Sequence, residues 1–267
     1  MTVRYRLAAF DLDGTLLDSG NQVSEGNAAA LRAVAGQGVT VCPATARWYQ
    51  AAVRPFEGLG LAAPAIASGG ADVRLAGGAV VAQHLLPPEF VALFATLCGR
   101  AGWTANLSTR ERTYRLAAES PPWAATAPPW LVPVTTLDGL DLSELLSALA
   151  DVSADDPHLA ELDQWRGRVS AHSAVAFNGP ALLTLTARGV DKGSALRALC
   201  EAEGIDPAEA VVFGDSEVDL PMFDVAGLAV AMGNASDAVK ARAGMVTATA
   251  DEDGVAEAIG RIWPEGR

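Results

Sequence analysis

Short apolar runs alternate with stretches of helical spacing in the first and last thirds of the chain. The stretches with helical spacing cover 27–36, 193–203 and 235–243. Strands buried on both faces are apolar throughout, so the apolar runs predict parallel strands. These runs cover 6–10, 39–43, 65–67, 210–213, 228–231 and 245–247. Alternating strands and helices predict βαβ units, and hence an α/β fold with a doubly wound parallel sheet.

The middle of the chain breaks this pattern. Residues 83–184 contain four of the six tryptophans and a proline-rich passage over 121–133. The spacing of apolar residues predicts a helix over 87–100, a hairpin over 104–116 and a strand over 182–185 that leads back to the core. We interpret this stretch as an inserted domain.

The length of the chain supports the same division. At 267 residues it exceeds the usual size of one domain, so two domains or one domain with an insertion are expected. A small hairpin predicted over 72–82 leads into the insertion. We therefore predict a core formed by residues 1–82 and 185–267, and an inserted domain over residues 83–184.

Composition and charge argue against several classes of function. The formal charge of −13 and the lack of a basic run argue against a nucleic-acid partner. No apolar stretch approaches the roughly 18 residues of a membrane span, and residues 1–6 lack a signal-peptide pattern. We therefore expect a soluble, cytoplasmic protein with no membrane partner. The three cysteines, Cys42, Cys98 and Cys200, are widely spaced and predict buried free thiols.

Acidic residues follow two of the predicted strands. The segment Asp11-Leu12-Asp13-Gly14-Thr15 begins where the first strand ends, and Asp215 and Asp219 follow the strand at 210–213. Ligands of α/β folds bind outside the carboxyl ends of parallel strands. Two carboxylates two residues apart suggest a nucleophile and an acid/base, although a bare Asp-rich turn that only ends a strand explains Asp11 and Asp13 equally well.

Two more polar residues are expected at the same edge of the sheet. Thr45 follows the run at 39–43, so a phosphate oxygen at the strand end would accept its hydroxyl proton. Lys192 opens the helix that leads into the strand at 210–213. Taken alone, a strand-end threonine usually caps and a loop lysine is usually solvated. The position beside the acids makes Thr45 a candidate for phosphate binding and argues that Lys192 is more than a solvated loop residue.

The acids together predict a metal ion. Four carboxylates at the tips of two strands repel one another unless a cation lies among them. Hard oxygen ligands with no nearby histidine or cysteine favour Mg²⁺, which also binds phosphate. The predicted metal residues are Asp11, Asp13, Asp215 and Asp219.

These segments resemble, in order, the four motifs of the haloacid dehalogenase-like superfamily of aspartate-nucleophile phosphatases, and within it the Cof-type branch. An insertion between the second and third motifs corresponds to the type IIB α/β cap of that family. The matching segments are Asp11-Leu12-Asp13-Gly14-Thr15, Ala44-Thr45-Ala46-Arg47, Lys192, Gly214-Asp215-Ser216-Glu217-Val218-Asp219 and, in the tail, Ala231-Met232-Gly233-Asn234-Ala235.

The resemblance implies a Rossmann-like core with an α/β cap that selects the substrate. It implies that Asp11 attacks phosphorus and that Asp13 serves as acid and then as base. It also implies a Mg²⁺ ion on the Asp11 carboxylate, the Asp13 carbonyl and Asp215, with Asp219 as a ligand or behind one, and a phosphoryl group on Thr45 and Lys192.

Three positions depart from the family pattern. Val218 stands where many relatives carry asparagine, Gly69 stands where Ser-Asn-Gly is common, and Ala46 replaces a glycine. None of them is a catalytic group, but two amides are missing. An alternative therefore stays open, namely a catalytically weak relative that binds a phosphorylated ligand as a sensor or partner protein.

The leading hypothesis is a Mg²⁺-dependent phosphatase of small phosphorylated metabolites, with sugar phosphates first. A phosphosugar mutase is less favoured, since mutases of the superfamily usually bear small caps. Arg110, Arg112 and Tyr114 alternate on a predicted strand, where they form either a cationic lip over the site or a solvated face. The candidates for substrate contacts are Arg47, Ser68, Gly69 and Asn234 in the core, and Arg110 and Arg112 in the cap.

Overall fold

The structure, a computed structural model, describes residues 5–153, 155–175 and 181–264. Residues 1–4, which belong to the segment that lacks a signal-peptide pattern, lie outside the described residues. The strands are β1 (Leu7–Phe10), β2 (Thr40–Pro43), β3 (Ala65–Ala67), β4 (Asp72–Arg74), β5 (Val80–Gln83), β6 (Thr104–Thr109), β7 (Thr113–Leu116), β8 (Leu131–Val134), β9 (Leu145–Asp151), β10 (Val169–Val175), β11 (Ala181–Ala187), β12 (Ala210–Gly214), β13 (Leu228–Ala231) and β14 (Met245–Val246). The helices are α1 (Glu25–Gly36), α2 (Tyr49–Glu57), α3 (Pro88–Ala101), α4 (Lys192–Glu203), α5 (Leu220–Phe223), α6 (Asp237–Lys240) and α7 (Gly254–Ile262).

The core is a five-stranded parallel sheet in the order β14-β13-β12-β1-β2. Alternate residues of a strand face opposite sides of a sheet, and both sides of β1 are apolar. Ala8 and Phe10 pack with α1 and α7, whereas Leu7 and Ala9 pack with α4 and α5. Helices on both faces confirm the predicted doubly wound α/β core.

The strand predicted at 65–67 exists, but it is not one of the five strands of the parallel sheet. β3 pairs antiparallel with β4, and among the described residues it meets the core sheet through a single parallel bridge between Ala44 and Ile66. The chain reverses just after β3, where Ser68, Gly69 and Gly70 have φ angles of 52°, 68° and 103°. An apolar run indicates burial but not the direction of pairing, which this turn decides.

Two helix boundaries differ from the predicted ones for local reasons. α1 begins at Glu25 rather than at residue 27, because the Ser24 hydroxyl accepts a hydrogen bond from the Asn27 backbone N–H at 3.1 Å. The helix predicted over 235–243 is reduced to α6, which Ser236 caps in the same way through Val239.

The insertion forms its own six-stranded sheet, in the order β10-β11-β9-β6-β7-β8. Leu107 and Leu185 pack on one face against Phe90 of α3. The alternating residues Asn106 and Thr184 lie on the opposite face, towards the core. This confirms an inserted α/β cap and the predicted hairpin at 104–116. The domain boundaries predicted at 82/83 and 184/185 fall within β5 and β11, and they stay predictions.

The cysteine prediction is confirmed. Cys42, Cys98 and Cys200 are buried and free, and burial raises the pKa of the Cys98 thiol to about 12. Within the described residues, every helix is too short or too polar to cross a membrane.

Candidate active site

Asp11 lies directly beyond the end of β1, which runs between β12 and β2 in the core sheet. Its backbone N–H donates to the Phe213 carbonyl at 2.9 Å, which ties the start of the motif to β12. The side chain is buried. Burial, the largest cause, raises the pKa of Asp11 well above its ordinary value, while the charge of Lys192 acts in the opposite direction. The carboxylate is therefore removed from water but has a cationic partner.

Lys192 provides that partner. It is the first residue of α4, whose Asp191 N-cap fixes the start of the helix, and its side chain is 3% exposed. The Nζ atom donates to Asp11 Oδ1 and to Asp219 Oδ1, both at 2.6 Å. Burial disfavours the ammonium charge, but the two carboxylates outweigh it and raise the pKa of Lys192. A protonated lysine thus lies against the candidate nucleophile.

Asp219 holds Lys192 and the loop after β12 at the same time. Its Oδ1 atom accepts from Lys192, and its Oδ2 atom accepts from the backbone N–H groups of Asp215 and Ser216 at 3.0 and 3.1 Å. The side chain is fully buried. Both oxygens are occupied, so Asp219 supports the site from behind. Of the two roles that the resemblance left open, the geometry favours this one.

Asp215 is oriented by two side chains from other parts of the chain. Thr15 Oγ1 donates to Asp215 Oδ1 at 2.9 Å, and Asn234 Nδ2 approaches Asp215 Oδ2 at 3.4 Å. Burial, followed by the charge of Asp219, raises the pKa of Asp215 to about 7. The role of Thr15 was missed, although the hydroxyl directly after Gly14 was visible in the sequence.

Asn234 was predicted to contact substrate, but the structure directs its amide elsewhere. Besides Asp215, its Nδ2 atom donates to the Gly14 carbonyl at 2.8 Å, and its Oδ1 atom accepts from the Ala250 backbone N–H at 3.0 Å. Asn234 therefore ties three loops together behind the carboxylates. It is a positioning residue.

The carboxylates fit a divalent cation. Asp11, Asp215 and Asp219 each bring an oxygen within 4.8 Å of the others. Three carboxylates and the single ammonium of Lys192 leave two negative charges. After burial, the charge of Asp219 is the next cause that raises the pKa of Asp215. Hard oxygen donors of this kind suit Mg²⁺ or a similar ion. Asp11 and Asp215 line the cavity and Asp219 does not, so the first two are the side chains open to such an ion.

Asp13 and Arg47 form an ion pair at the mouth of the site. Arg47 Nε donates to Asp13 Oδ2 at 2.9 Å, and its Nη2 atom contacts Asp13 Oδ1 and, at 2.5 Å, Asn21 Oδ1. The Asp13 side chain is 55% exposed. Both residues line the cavity beside Asp11. Arg47 is therefore placed to guide the candidate acid/base.

Thr45 and Ser68 lie on neighbouring turns but differ in access. Thr45 is buried below the cavity and lines it, and its hydroxyl accepts from the Arg47 backbone N–H at 3.2 Å. Ser68 does not line the cavity, and its buried hydroxyl has no hydrogen-bond partner among the described residues. Its backbone N–H donates to the Arg47 carbonyl at 2.8 Å. Ser68 thus shapes the loop of Arg47.

The candidate site residues surround a cavity of about 330 Å³ between core and cap. The core supplies its floor through Asp11, Asp13, Thr45, Ala46, Arg47, Lys192, Asp215, Ser216 and Val218. The cap supplies its roof through Asn106, Leu149, Asp151, Leu182 and Thr184. Sequence analysis missed these roof residues, although the alternation around Asn106 predicts a strand with one polar face.

Arg110 and Arg112 do not lie on a strand face as predicted. They occupy the turn between β6 and β7, where the hairpin reverses. Arg110 pairs with Glu144 at 2.5 Å and Arg112 with Glu111 at 3.5 Å. Neither arginine lines the cavity. The alternation predicted the hairpin over 104–116 but does not reveal the residues at which it turns.

Two contacts hold the cap against the core. Trp48 is buried, its Nε1 atom donates to the Thr109 carbonyl at 2.8 Å, and its ring centroid lies 5.6 Å from that of Trp130. On the other side, a Cβ atom at Gly69 would come within 3.1 Å of the Thr184 methyl group. A side chain at Gly69 would therefore press against the methyl groups of β11.

Val218, the other departure, lines the cavity with an apolar side chain. Its position next to Asp219 matches the motif, but it makes that wall of the cavity less polar than an asparagine would. The carboxylates and Lys192 remain connected without it.

The family model of the haloacid dehalogenase-like hydrolases matches residues 8–259. The chain is a haloacid dehalogenase-like hydrolase. Among its relatives, a 5-amino-6-(5-phospho-D-ribitylamino)uracil phosphatase of Bacillus subtilis is 29% identical over 261 residues, covering 98% of this chain and 96% of the relative. An HMP-PP phosphatase of Cronobacter sakazakii is 30% identical over 235 residues, covering 86% and 85%.

A solved structure supports the capped fold of this hydrolase. A HAD subclass IIB sugar phosphatase matches with a TM-score of 0.79 at 23% identity, covering 96% of this chain and 98% of the other. The predicted resemblance is confirmed. Together, the family and its phosphatase relatives show that the hydrolase is a phosphatase.

Proposed function

We propose that this hydrolase removes phosphate from monoesters of small metabolites through an aspartyl-phosphate on Asp11. The contact between Asp11 and Lys192 carries the proposal, because it places a buried carboxylate and a cation on the floor of a cavity that Asp13 and Thr45 also line. Phosphoryl transfer needs positioning and charge neutralisation above all. This floor supplies both.

In the first step, an Asp11 oxygen attacks phosphorus and the bond to the ester oxygen breaks. Asp13 gives its proton to the departing oxygen, so the leaving group departs as a neutral hydroxyl. In the second step, Asp13 takes a proton from water, which attacks phosphorus and releases Asp11 and inorganic phosphate. Arg47 must exchange Asp13 for a phosphate oxygen before Asp13 can serve as an acid.

Mg²⁺ is the metal that we propose for the floor, held by Asp11 and Asp215, with the Asp13 carbonyl as the ligand that the resemblance adds. When bound, the ion withdraws charge from the phosphoryl oxygens and from the attacking carboxylate. Thr15 and Asn234 orient Asp215, and Asp219 holds Lys192. Thr45 donates its hydroxyl, and Lys192 its ammonium, to the phosphoryl oxygens.

The alternative, a sensor that binds a phosphorylated ligand without turnover, has less support. Gly69, one of the two departures that favoured it, has a steric reason in the contact with Thr184. The hydrogen bonds among Lys192, Asp11 and Asp219 would serve catalysis, not binding alone. Cytoplasmic location and the absence of a nucleic-acid partner stay predictions of the sequence.

The test measures phosphate release from a panel of sugar, nucleotide and cofactor phosphates, with Mg²⁺ and with EDTA. Asp11→Asn is the inactive variant, and Asp237→Asn makes the same chemical change at an exposed position. We expect metal-dependent turnover in the wild type and in Asp237→Asn, and none in Asp11→Asn. If the wild type binds a phosphate ester tightly but releases no phosphate from any ester of the panel, the result would support the sensor instead.

A further inference from the structure

The roof of the cavity is one face of the cap sheet. Asn106 is paired with Leu149, Leu149 with Thr184, and Asp151 with Leu182, so these residues share a face. The roof thus opposes the phosphoryl site with one carboxylate, one amide and one hydroxyl between two leucines. Within the described part of the chain, no hydrogen bond occupies the Asn106 amide or the Thr184 hydroxyl.

The carboxylate of this roof is paired with an arginine. Arg115, the cross-strand partner of Asn106, donates from Nη2 to Asp151 Oδ2 at 3.3 Å, and the two side chains are 26% and 29% exposed. Asp151 lines the cavity, whereas Arg115 does not. Substrate therefore meets the carboxylate of this pair first.

The other cations at the cavity are also engaged. Lys192 is bound by Asp11 and Asp219, and Arg47 by Asp13. These cations face the phosphoryl group, at the floor. Among the described residues that line the cavity, no unpaired cation remains for a second anionic group of the substrate.

We propose that Asp151 is a specificity residue that excludes substrates whose leaving group carries its own negative charge, and that it does so by facing the cavity and masking Arg115. This rests on the proposed hydrolysis at Asp11. A second carboxylate or phosphate would be buried against Asp151 with no free cation to offset it, and like charges in such a contact oppose binding. An uncharged polyhydroxyl leaving group instead donates to Asp151 and to Asn106.

Two substrates with the same carbon skeleton isolate this effect. Glycerol 3-phosphate has an uncharged leaving group, and 3-phosphoglycerate replaces one hydroxymethyl group by a carboxylate. We expect the wild type to prefer glycerol 3-phosphate by about tenfold or more in kcat/KM. Asp151→Asn removes the charge and frees Arg115, so this preference is expected to fall at least about tenfold, mainly through faster hydrolysis of 3-phosphoglycerate.

Three controls make the outcome specific. Asp138→Asn, a change of the same type at an exposed cap residue, leaves the preference unchanged. The double variant Asp151→Asn/Arg115→Gln loses the gain for 3-phosphoglycerate, because the freed guanidinium is gone. Hydrolysis of p-nitrophenyl phosphate reports folding and chemistry without a test of selectivity. A wild type without the preference, or a preference changed by less than tenfold in Asp151→Asn, overturns the proposal.

The selectivity is also measurable without turnover. Calorimetric titration of the two esters into Asp11→Asn, with and without the Asp151→Asn change, compares their binding directly. The same tenfold criterion applies. If p-nitrophenyl phosphate is not hydrolysed by the wild type but the binding preference follows Asp151, the hydrolysis proposed at Asp11 fails while the role of Asp151 stands.

Discussion

The floor and the roof of the cavity are built on different principles. On the floor, Lys192 bonds to two buried carboxylates at 2.6 Å, and Asp219 uses both of its oxygens within the protein. On the roof, the side chains of Asn106 and Thr184 have no hydrogen bond within the described residues. The floor is closed and preorganised, as phosphoryl transfer requires, whereas the roof leaves donors and acceptors free for substrate. The comparison separates the residues that we propose for the reaction from those that we propose for selectivity.

Lys192→Met is expected to damage the floor most. It leaves Asp11 and Asp219 buried without their cation and removes a charge from the phosphoryl site, so kcat should fall by about 10³ and stability by about 3–5 kcal/mol. Phosphate release and urea unfolding measure the two effects. Lys240→Met, at the only other lysine of the chain, is the matched control. A variant of Lys192 that kept a tenth of the activity would contradict the assigned role.

Thr15→Val tests the support of the metal ligands. The variant keeps the shape of the side chain but removes the hydrogen bond to Asp215 Oδ1 at 2.9 Å. Loss of a bond behind a metal ligand typically weakens metal affinity by about 10- to 100-fold. Titration of activity with Mg²⁺ should show this shift with little change at saturation. An unshifted titration curve would mean that Asp215 does not depend on Thr15.

Asp215 also predicts how the metal-free protein responds to pH. Burial and then the charge of Asp219 raise the pKa of its carboxyl from 3.8 to about 7. Between these values the folded state binds more protons than the unfolded chain, so this group costs stability as the pH rises from about 4 through 7. In EDTA, Tm should fall more between pH 5 and 8 for the wild type than for Asp215→Asn.

Mg²⁺ provides the second arm of that experiment. A cation at Asp215 competes with the proton, so added Mg²⁺ should raise the Tm of the wild type more at pH 8 than at pH 5. Thermal unfolding followed by circular dichroism measures both arms. If Tm changes with pH by the same amount in the wild type and in Asp215→Asn, the carboxyl of Asp215 does not contribute to the pH dependence of stability.

Gly69→Ala addresses the contact between floor and roof. Both Gly69 and Gly60 have a left-handed φ, of 68° and 75°, but only at Gly69 would an added Cβ atom lie 3.1 Å from the Thr184 methyl group. Each alanine should cost about 1–2 kcal/mol through backbone strain. Only Gly69→Ala should also push β11 away and raise KM several-fold. Equal KM values in the two variants would show that β11 can move away from residue 69 without weakening substrate binding.

Arg110→Gln and Arg112→Gln are expected to have the smallest effect. Both arginines pair with glutamates on the exposed turn and lie outside the cavity lining. Exposed ion pairs contribute about 0–1 kcal/mol, so kcat/KM should stay within about twofold of wild type on every ester tested. A loss of kcat/KM for one substrate alone would support the hypothesis that these arginines form a cationic lip over the site.

The two regions were also predictable to different degrees. Asp11, Thr45, Lys192 and Asp215 are recognisable because each follows an apolar run or opens a helix, and strand ends of a parallel sheet converge. The roof residues carry no such local mark. Asn106 and Asp151 are neighbours only because of the register of β6 and β9. The sequence pattern contains little information about that register.

The sequence by itself determined the doubly wound core, the place of the insertion and the residues of the floor. Buried strands and the polar residues at their ends are recognisable from short local patterns of apolar and polar residues. Only the tertiary structure decided four features. These are the antiparallel pairing of β3 with β4, the hydrogen bond of Asn234 to the Gly14 carbonyl, the ion pair of Arg110 outside the cavity, and the carboxylate of Asp151 on the roof. These depend on contacts between segments far apart in the chain. Long-range contacts arise from packing, which no short stretch of residues specifies alone.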